Sequence, residues 1–170
     1  MKKYLSAFVC GFGAGVLQIV PVAKSFSCCL IIPVASYLAL VLHQKANNDF
    51  GKMDFKKGAI IGLLTGLYAA LFGSSFEIVI TLITKNNDLV VAYPELMKVI
   101  SDFPLAEAMI EQSQMLLESV VEDIKTSGFS ILYTFAVIAN NLFVDVVFGL
   151  LGGIIGVQII NSRMQKSSTD

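Results

Sequence analysis

Two acidic side chains, each isolated in a long apolar stretch, are the residues of this chain best suited to chemistry. Glu77 is the only charged residue in the run 58–83, and Asp145 is the only one in the run 130–160. A charged side chain at membrane depth costs about 2.5 to 3.5 kcal/mol on insertion scales, so such residues usually face a cavity, a partner or a transport path. The candidate intramembrane polar site therefore consists of these two acids and three amides, Gln18, Asn140 and Asn141.

The composition indicates that membrane helices carry these residues. Of the 170 residues, 55% are hydrophobic and 15% are charged, whereas soluble domains have about 45–50% and 25%. The net charge of −1 provides no basic field for binding nucleic acid. Because a spanning helix needs about 20 mostly apolar residues, four spans are predicted, at about 5–22, 27–42, 58–83 and 130–160.

The expected fold is an all-α polytopic membrane protein. A single membrane domain over 1–170 would contain four transmembrane helices and an external amphipathic helical insert between the third and the fourth. An alternative leaves three spans, because a basic start followed by an apolar run is also typical of a cleaved secretory signal. Pro21 argues against cleavage after Ala23, since it occupies a position that normally holds a small residue. We therefore expect the first span to be retained.

Positive charges predict the orientation, because Lys and Arg are retained on the cytoplasmic side of a membrane. Eight of them lie on one side of the predicted spans and four on the other, so both termini are expected in the cytoplasm. The segment 84–129 is then external. It is also acidic, with eight acids against two lysines between Asp88 and Lys125.

Helices are expected within this external segment. Pro94 and Pro104 occupy positions at which helices can start, and Gly128 can end one. The last helix would carry apolar residues on one face and acids on the other: Leu105, Met109, Leu116, Val120 and Ile124, against Glu107, Glu111, Glu118 and Glu122. Helices that lie on anionic membranes normally carry Lys or Arg instead of acids, so the apolar face is expected to pack against protein.

Small residues form stripes near the isolated acids and predict close helix packing. Gly58, Gly62 and Gly66 form consecutive GxxxG units, which Gly73 extends toward Glu77. In the fourth span one face is expected to carry Asn141, Asp145, Gly149, Gly152 and Gly156. The stripes predict a tightly packed inner end and a polar cavity that opens outward. Alternatively, the polar side chains only join helices, through hydrogen bonds worth about 0.6 kcal/mol each.

The remaining residues give weaker signals. His43 is the only histidine and is expected to be solvated at the end of a span, since one imidazole cannot supply a multi-histidine metal site. Cys10, Cys28 and Cys29 lie in apolar runs and are interpreted as packing residues, although the adjacent pair leaves soft-metal binding open. No nucleophile with its base is recognisable, so we expect no enzyme activity, no metal and no cofactor.

The runs 58–66, 69–73 and 140–149, with the amphipathic insert between them, resemble small four-span bacterial membrane proteins classed only as a domain of unknown function. The resemblance implies a bacterial inner-membrane location and four helices. It supplies no catalytic residues.

Two functions from different classes fit these observations. The first is an accessory or assembly subunit of a membrane complex, which lies in the lipid bilayer and binds a membrane-protein partner or further copies of itself. The second is an oligomeric carrier or channel, which moves a proton or another cation by way of Glu77 and Asp145.

Overall fold

The computed structural model describes residues 4–104 and 106–167, and every regular element within them is helical. The α-helices follow one another as α1 (Leu5–Leu17), α2 (Pro21–Lys24), α3 (Ile32–Asn47), α4 (Phe55–Thr84), α5 (Asp88–Asp102), α6 (Glu107–Ser127) and α7 (Ile131–Ser167). A five-residue π-helix, Ser27–Ile31, leads directly into α3. The chain forms two compact units, the first made of Met1–Phe76 and Ile138–Asp170 and the second of Glu77–Val137.

Three helical stretches within the described residues are long and apolar enough to cross a membrane: Cys29–Asn47, Phe55–Thr84 and Ile131–Gln165. They expose many large apolar side chains, among them Leu38, Leu71 and Leu151. Apolar surface of this extent is typical of contact with lipid. The predicted all-helical class is thus confirmed, and the three long apolar helices indicate a membrane-embedded protein.

The helix of the first predicted span is shorter than expected. α1 has 13 residues and ends at Leu17 instead of continuing to about 22. Pro21 explains the early end, because it has no backbone N–H to donate and favours an extended conformation at Val20, where ψ is 119°. At about 1.5 Å per residue, α1 is about 20 Å long, which is shorter than a hydrocarbon core of about 30 Å. A fourth span is therefore not confirmed.

In the first unit, α4 and α7 approach each other at backbone distance. A Cβ atom at Gly62 would lie 2.8 Å from Gly153 Cα, and one at Gly149 would lie 2.9 Å from Gly66 Cα. A Cβ atom at Gly66 would overlap the carbonyl oxygen of Asp145. Because these distances leave no room for a methyl group, the contact requires glycine at these positions.

The glycines of α7 face two neighbours. Gly149 and Gly153 face α4, whereas a Cβ atom at Gly152 would lie 2.5 Å from Pro33 Cα and one at Gly156 would lie 2.8 Å from Leu40 Cδ1, both in α3. The single stripe expected through Gly149, Gly152 and Gly156 is thus divided between two helices. A helix turns by about 100° per residue, so positions three apart diverge by about 60° and can meet different partners.

α1 also packs beside α4. A Cβ atom at Gly15 would lie 2.9 Å from the backbone nitrogen of Gly73. The rings of Phe12 and Phe72 pack edge to face on the same pair of helices, with centroids 5.0 Å apart. These contacts bring the end of α1, and with it Gln18, to the level of Gly73.

The loop between α3 and α4 is tied to α7. Asn161 accepts a hydrogen bond from Met53 N at 2.9 Å and donates one to Met53 O at 3.0 Å. His43 is 3% exposed near the end of α3, so the prediction that it is solvated is wrong. The reason is that α3 continues to Asn47, beyond the predicted end of the span, and keeps His43 inside the packed helix.

In the second unit, α5 and α6 form an antiparallel hairpin. Gln114 Nε2 donates to Ser101 Oγ at 2.9 Å, and the Lys125 ammonium lies 5.9 Å from the centroid of the Tyr93 ring. Since Ser101 is near the end of α5 and pairs with Gln114, the first turns of α6 extend past α5.

The ends of the hairpin helices follow local capping chemistry. Asn87 caps α5, because its side chain accepts a hydrogen bond from Val90 N. Pro94 was expected to start a helix but lies inside α5, since the Asn87 cap sets the start earlier. Gly128 ends α6 in the left-handed conformation, with φ at 78°, and this prediction is confirmed.

The predicted apolar face of α6 is only partly buried. Val120 and Ile124 are buried, whereas Met109 and Leu116 are exposed. Leu105 lies outside the described residues. The part of this face that does not pack on α5 therefore remains available for other contacts.

The close contact of α4 and α7 can be tested with Gly66→Ala. We expect this variant to lower the free energy of unfolding by about 1–3 kcal/mol, because the added methyl group forces the two backbones apart. Gly13→Ala is the matched control, since a Cβ atom at Gly13 meets nothing within 4 Å. Both variants can be unfolded with SDS in mixed micelles, and equal unfolding free energies would contradict the contact.

Candidate functional site

A buried hydrogen bond joins the end of α1 to α7. Gln18 Nε2 donates to Asp145 Oδ2 at 2.8 Å, across 127 positions of sequence. Asp145 is 3% exposed and Gln18 is 8% exposed. Within the described part of the chain, no basic side chain lies at ion-pair distance from this carboxyl group. A negative charge on Asp145 is therefore stabilised only by a neutral amide.

Two glycines of α4 make room for this pair. A Cβ atom at Gly73 would overlap Gln18 Oε1, and a Cβ atom at Gly66 would overlap the Asp145 carbonyl oxygen. Gln18 directly follows α1, where the chain turns before Pro21. The amide thus has its oxygen against Gly73 and its nitrogen toward Asp145.

A second polar contact lies one helical turn before Asp145. Asn141 Nδ2 donates to Ser74 Oγ at 3.1 Å, and Ser74 is buried in α4. Asn140 is exposed, and its Nδ2 lies 3.5 Å from Asn141 Oδ1. The structure therefore brings Gln18 to Asp145 and Asn141 to Ser74, while Asn140 lies at the surface of the first unit.

Glu77 belongs to the second unit, where it has a partner of its own. Tyr133 Oη donates to Glu77 Oε1 at 2.8 Å. Sequence reasoning missed both Tyr133 and Ser74 as partners, because helix pairing decides which side chains meet. The sequence signal that could have indicated these two partners was their polar side chains inside apolar runs. The cavity expected to unite Glu77 with the other polar residues stays a prediction.

The glycines selected from the sequence take part in different contacts. Gly58, Gly62, Gly66 and Gly149 lie where α4 meets α7, Gly73 lies against Gln18, and the two that face α3 are Gly152 and Gly156. Sequence reasoning missed Gly153, which lies opposite Gly58 and Gly62. Its GxxxG spacing from Gly149 was the signal that could have found it.

Two of the cysteines lie in different environments, while the side chain of Cys28 lies outside the described part of the structure. Cys10 is half-buried and lines an apolar groove of about 360 Å³ between α1 and the π-helix and α3, together with Gly13 and Leu17. Cys29 is exposed, so the interpretation of this residue as a packing residue is wrong. It lies in the π-helix that precedes α3. Among the described residues, no group of three or more His, Cys, Asp or Glu side chains is arranged to hold a metal ion.

Comparison with known proteins adds no relative. The chain matches no family model, no curated protein and no solved structure. The resemblance to four-span bacterial proteins therefore stays an expectation and assigns no residue a role. The fold itself defines the class, a helical membrane-embedded protein with three long apolar helices, and the buried pair of Asp145 and Gln18 is its candidate site.

The Gln18–Asp145 contact can be measured with a double-mutant cycle of Gln18→Leu and Asp145→Leu. Each single substitution should cost about 1–3 kcal/mol of unfolding free energy, because it leaves a buried polar group without its partner. The double variant should lose less than the sum, since both polar groups are then gone.

The exposed pair Ser101 and Gln114 supplies the control cycle, with both residues changed to Ala. Unfolding in mixed micelles should be nearly additive for this pair, because water replaces the lost partner of an exposed hydrogen bond. Additive behaviour of the Gln18 and Asp145 variants as well would contradict a contributing hydrogen bond between them.

Proposed function

We propose that the protein is an accessory or assembly subunit of a membrane complex and that its α5–α6 hairpin binds the partner. The observation that carries the proposal is the surface of this hairpin, which combines a large excess of acidic residues with exposed apolar side chains. All eight acids between Asp88 and Lys125 are exposed, and only two lysines lie among them.

Large apolar side chains lie exposed on the same hairpin. They are Val91, Val99, Phe103, Met109, Met115 and Leu116. Exposed apolar surface rimmed by charge is typical of an interaction site. An anionic lipid surface would repel the acids. The expected occupant is therefore a membrane-protein partner with a basic, partly apolar surface.

The glycine stripes support this function less than the sequence suggested. In the first unit they are occupied by contacts within the chain, at Gly62 and Gly66 against α7 and at Gly152 against α3. Partner binding is thus assigned to the hairpin rather than to the glycines.

The proposal includes a location and an orientation. As the sequence resemblance implies, the protein would lie in a bacterial inner membrane, and from its charges both termini would be in the cytoplasm and the hairpin on the opposite side. Positive residues favour this orientation, and lipid would surround the three long apolar helices. A second copy of the chain in place of a different partner is an outcome that the association experiment can distinguish.

Charge reversal on α6 tests partner binding. We expect the joint change of Glu107, Glu111, Glu118 and Glu122 to Lys to weaken association at least about tenfold, or about 1.4 kcal/mol, because the acids would face a basic surface. Native electrophoresis of gently solubilised membranes, with mass spectrometry of the complex, gives the assembled fraction and its composition.

The matched control reverses charge elsewhere, with Lys52→Glu and Lys56→Glu, both of which are exposed positions. This control should keep the complex. Migration of the unmodified protein alone, or an unchanged complex after the four substitutions in α6, would refute the proposal.

A carrier or channel for a proton or another cation is the second candidate function. The buried carboxyl group of Asp145 favours it, because intramembrane acids often mark ion pathways. Partner binding and ion transport use different residues, so the two functions can be tested separately.

Ion flux in liposomes tests this second candidate. Asp145→Asn should reduce flux of protons or alkali cations to the background of empty liposomes, because it removes the ionisable group. Asn140→Ala is the control, since Asn140 is exposed and makes only a long contact to Asn141. Unchanged flux when Asp145→Asn and Glu77→Gln are combined would eliminate this function.

A further inference from the structure

Asp145 lies deep within the longest apolar helix. It belongs to the apolar stretch Ile131–Gln165, and its side chain is 3% exposed. At about 1.5 Å per residue it is about 20 Å from one end of this stretch and about 30 Å from the other. An ionised carboxyl group at this depth is costly unless a cation compensates its charge.

Within the residues that the structure describes, the surrounding elements supply no such cation. The titratable side chains described on these helices are Cys10 on α1, Lys24 on α2, Tyr37, His43 and Lys45 on α3, Lys56, Lys57, Tyr68 and Glu77 on α4, and Tyr133 and Arg163 on α7 itself. None of these interacts with Asp145, whose partner in the described residues is Gln18. In addition, Gln18 marks the C-terminal end of α1, where the helix carries partial negative charge. A second negative charge is disfavoured there.

The geometry favours a proton over a metal ion as the compensating cation. Gln18 directs an N–H group at the carboxyl oxygen, and an N–H group cannot coordinate a metal. Mg²⁺ and Ca²⁺ need about six or more oxygen ligands. The side chain of Asp145 is buried, which leaves little room around its carboxyl group for such a shell of ligands. A proton needs no coordination shell.

We propose that Asp145 and Gln18 form a proton-binding site inside the first unit. The carboxyl group of Asp145 holds an exchangeable proton on one oxygen, while the other oxygen accepts the hydrogen bond from Gln18 Nε2. Gln18 is a positioning residue, because its own oxygen is held against Gly73. For the second candidate function, the site would make the proton the transported ion. The site itself depends on neither transport nor partner binding.

Infrared spectroscopy of the full chain in lipid tests the site directly. The protein is labelled with ¹³C at the aspartate carboxyl carbon and measured at neutral pH in H₂O and in D₂O. We expect a protonated-acid C=O band that shifts with the label and with deuterium, and that is lost in Asp145→Asn. The other described aspartates are exposed, and Glu77→Gln should leave the band unchanged.

Gln18→Leu is the second variant. It tests whether Gln18 positions the carboxyl group of Asp145 by a hydrogen bond or only packs beside it. Its labelled band should remain but move to a higher wavenumber, because the carbonyl loses a hydrogen bond. Ser74→Ala is the matched control and should not move the band. The labelled wild-type chain and Gln18→Leu decide the matter even when Asp145→Asn does not fold.

Three results would overturn the site. The first is the lack of a labelled protonated-acid band at every pH at which the protein stays folded. The second is persistence of that band in folded Asp145→Asn, and the third is its replacement by a carboxylate band on addition of sodium, which would indicate a metal cation. A liposome without proton flux would refute the carrier but would leave a positive infrared result, and therefore the site, intact.

Discussion

The backbones of α4 and α7 meet without side chains between them, and the first unit depends on this contact. In a membrane the hydrophobic effect contributes little to helix association, since lipid is as apolar as a leucine side chain, so close packing and polar bonds must hold helices together. Gly62 and Gly66 of α4 provide that packing against Gly149 and Gly153 of α7. A methyl group at any of these positions would separate the helices and reduce dispersion contacts along their length.

The same contact explains how an acid comes to be buried. Gly66 lies against the backbone of Asp145, and Gly73 lies against Gln18, so α4 supports both partners of the hydrogen bond. Tight packing excludes water from the carboxyl group, and the lack of a described basic partner leaves it dependent on a single amide. The close contact of α4 and α7 thus stabilises the fold and also buries the carboxyl group of Asp145.

The second unit follows different physical rules. α5 and α6 expose their acids and several large apolar side chains, and their ends are set by the Asn87 cap and by Gly128. Such a surface is typical of a protein that binds another protein, whereas the first unit uses its small residues internally. The two proposed functions, partner binding and ion binding, therefore use different units of the chain.

The sequence by itself determined the helical class, the long apolar helices and one helix end, because these depend on local physical chemistry. Apolar runs near 58–83 and 130–160 predicted long helices, because a backbone at membrane depth must satisfy its own hydrogen bonds. Gly128 ended its helix as expected, since only glycine readily adopts its positive φ. Pro21 indicates the early end of α1, but the span was predicted from hydropathy, which does not detect where a proline ends a helix.

Tertiary structure alone decided which side chains meet. Gly149 and Gly152 were expected on one face, yet they contact different helices, because a stripe on one helix does not specify its neighbours. His43 is buried by the packing of the end of α3, which a span boundary does not describe. The sequence showed that Asp145 is an isolated acid in an apolar run. Its hydrogen bond to Gln18 became visible only in the fold, because helix pairing brings together residues separated by 127 positions.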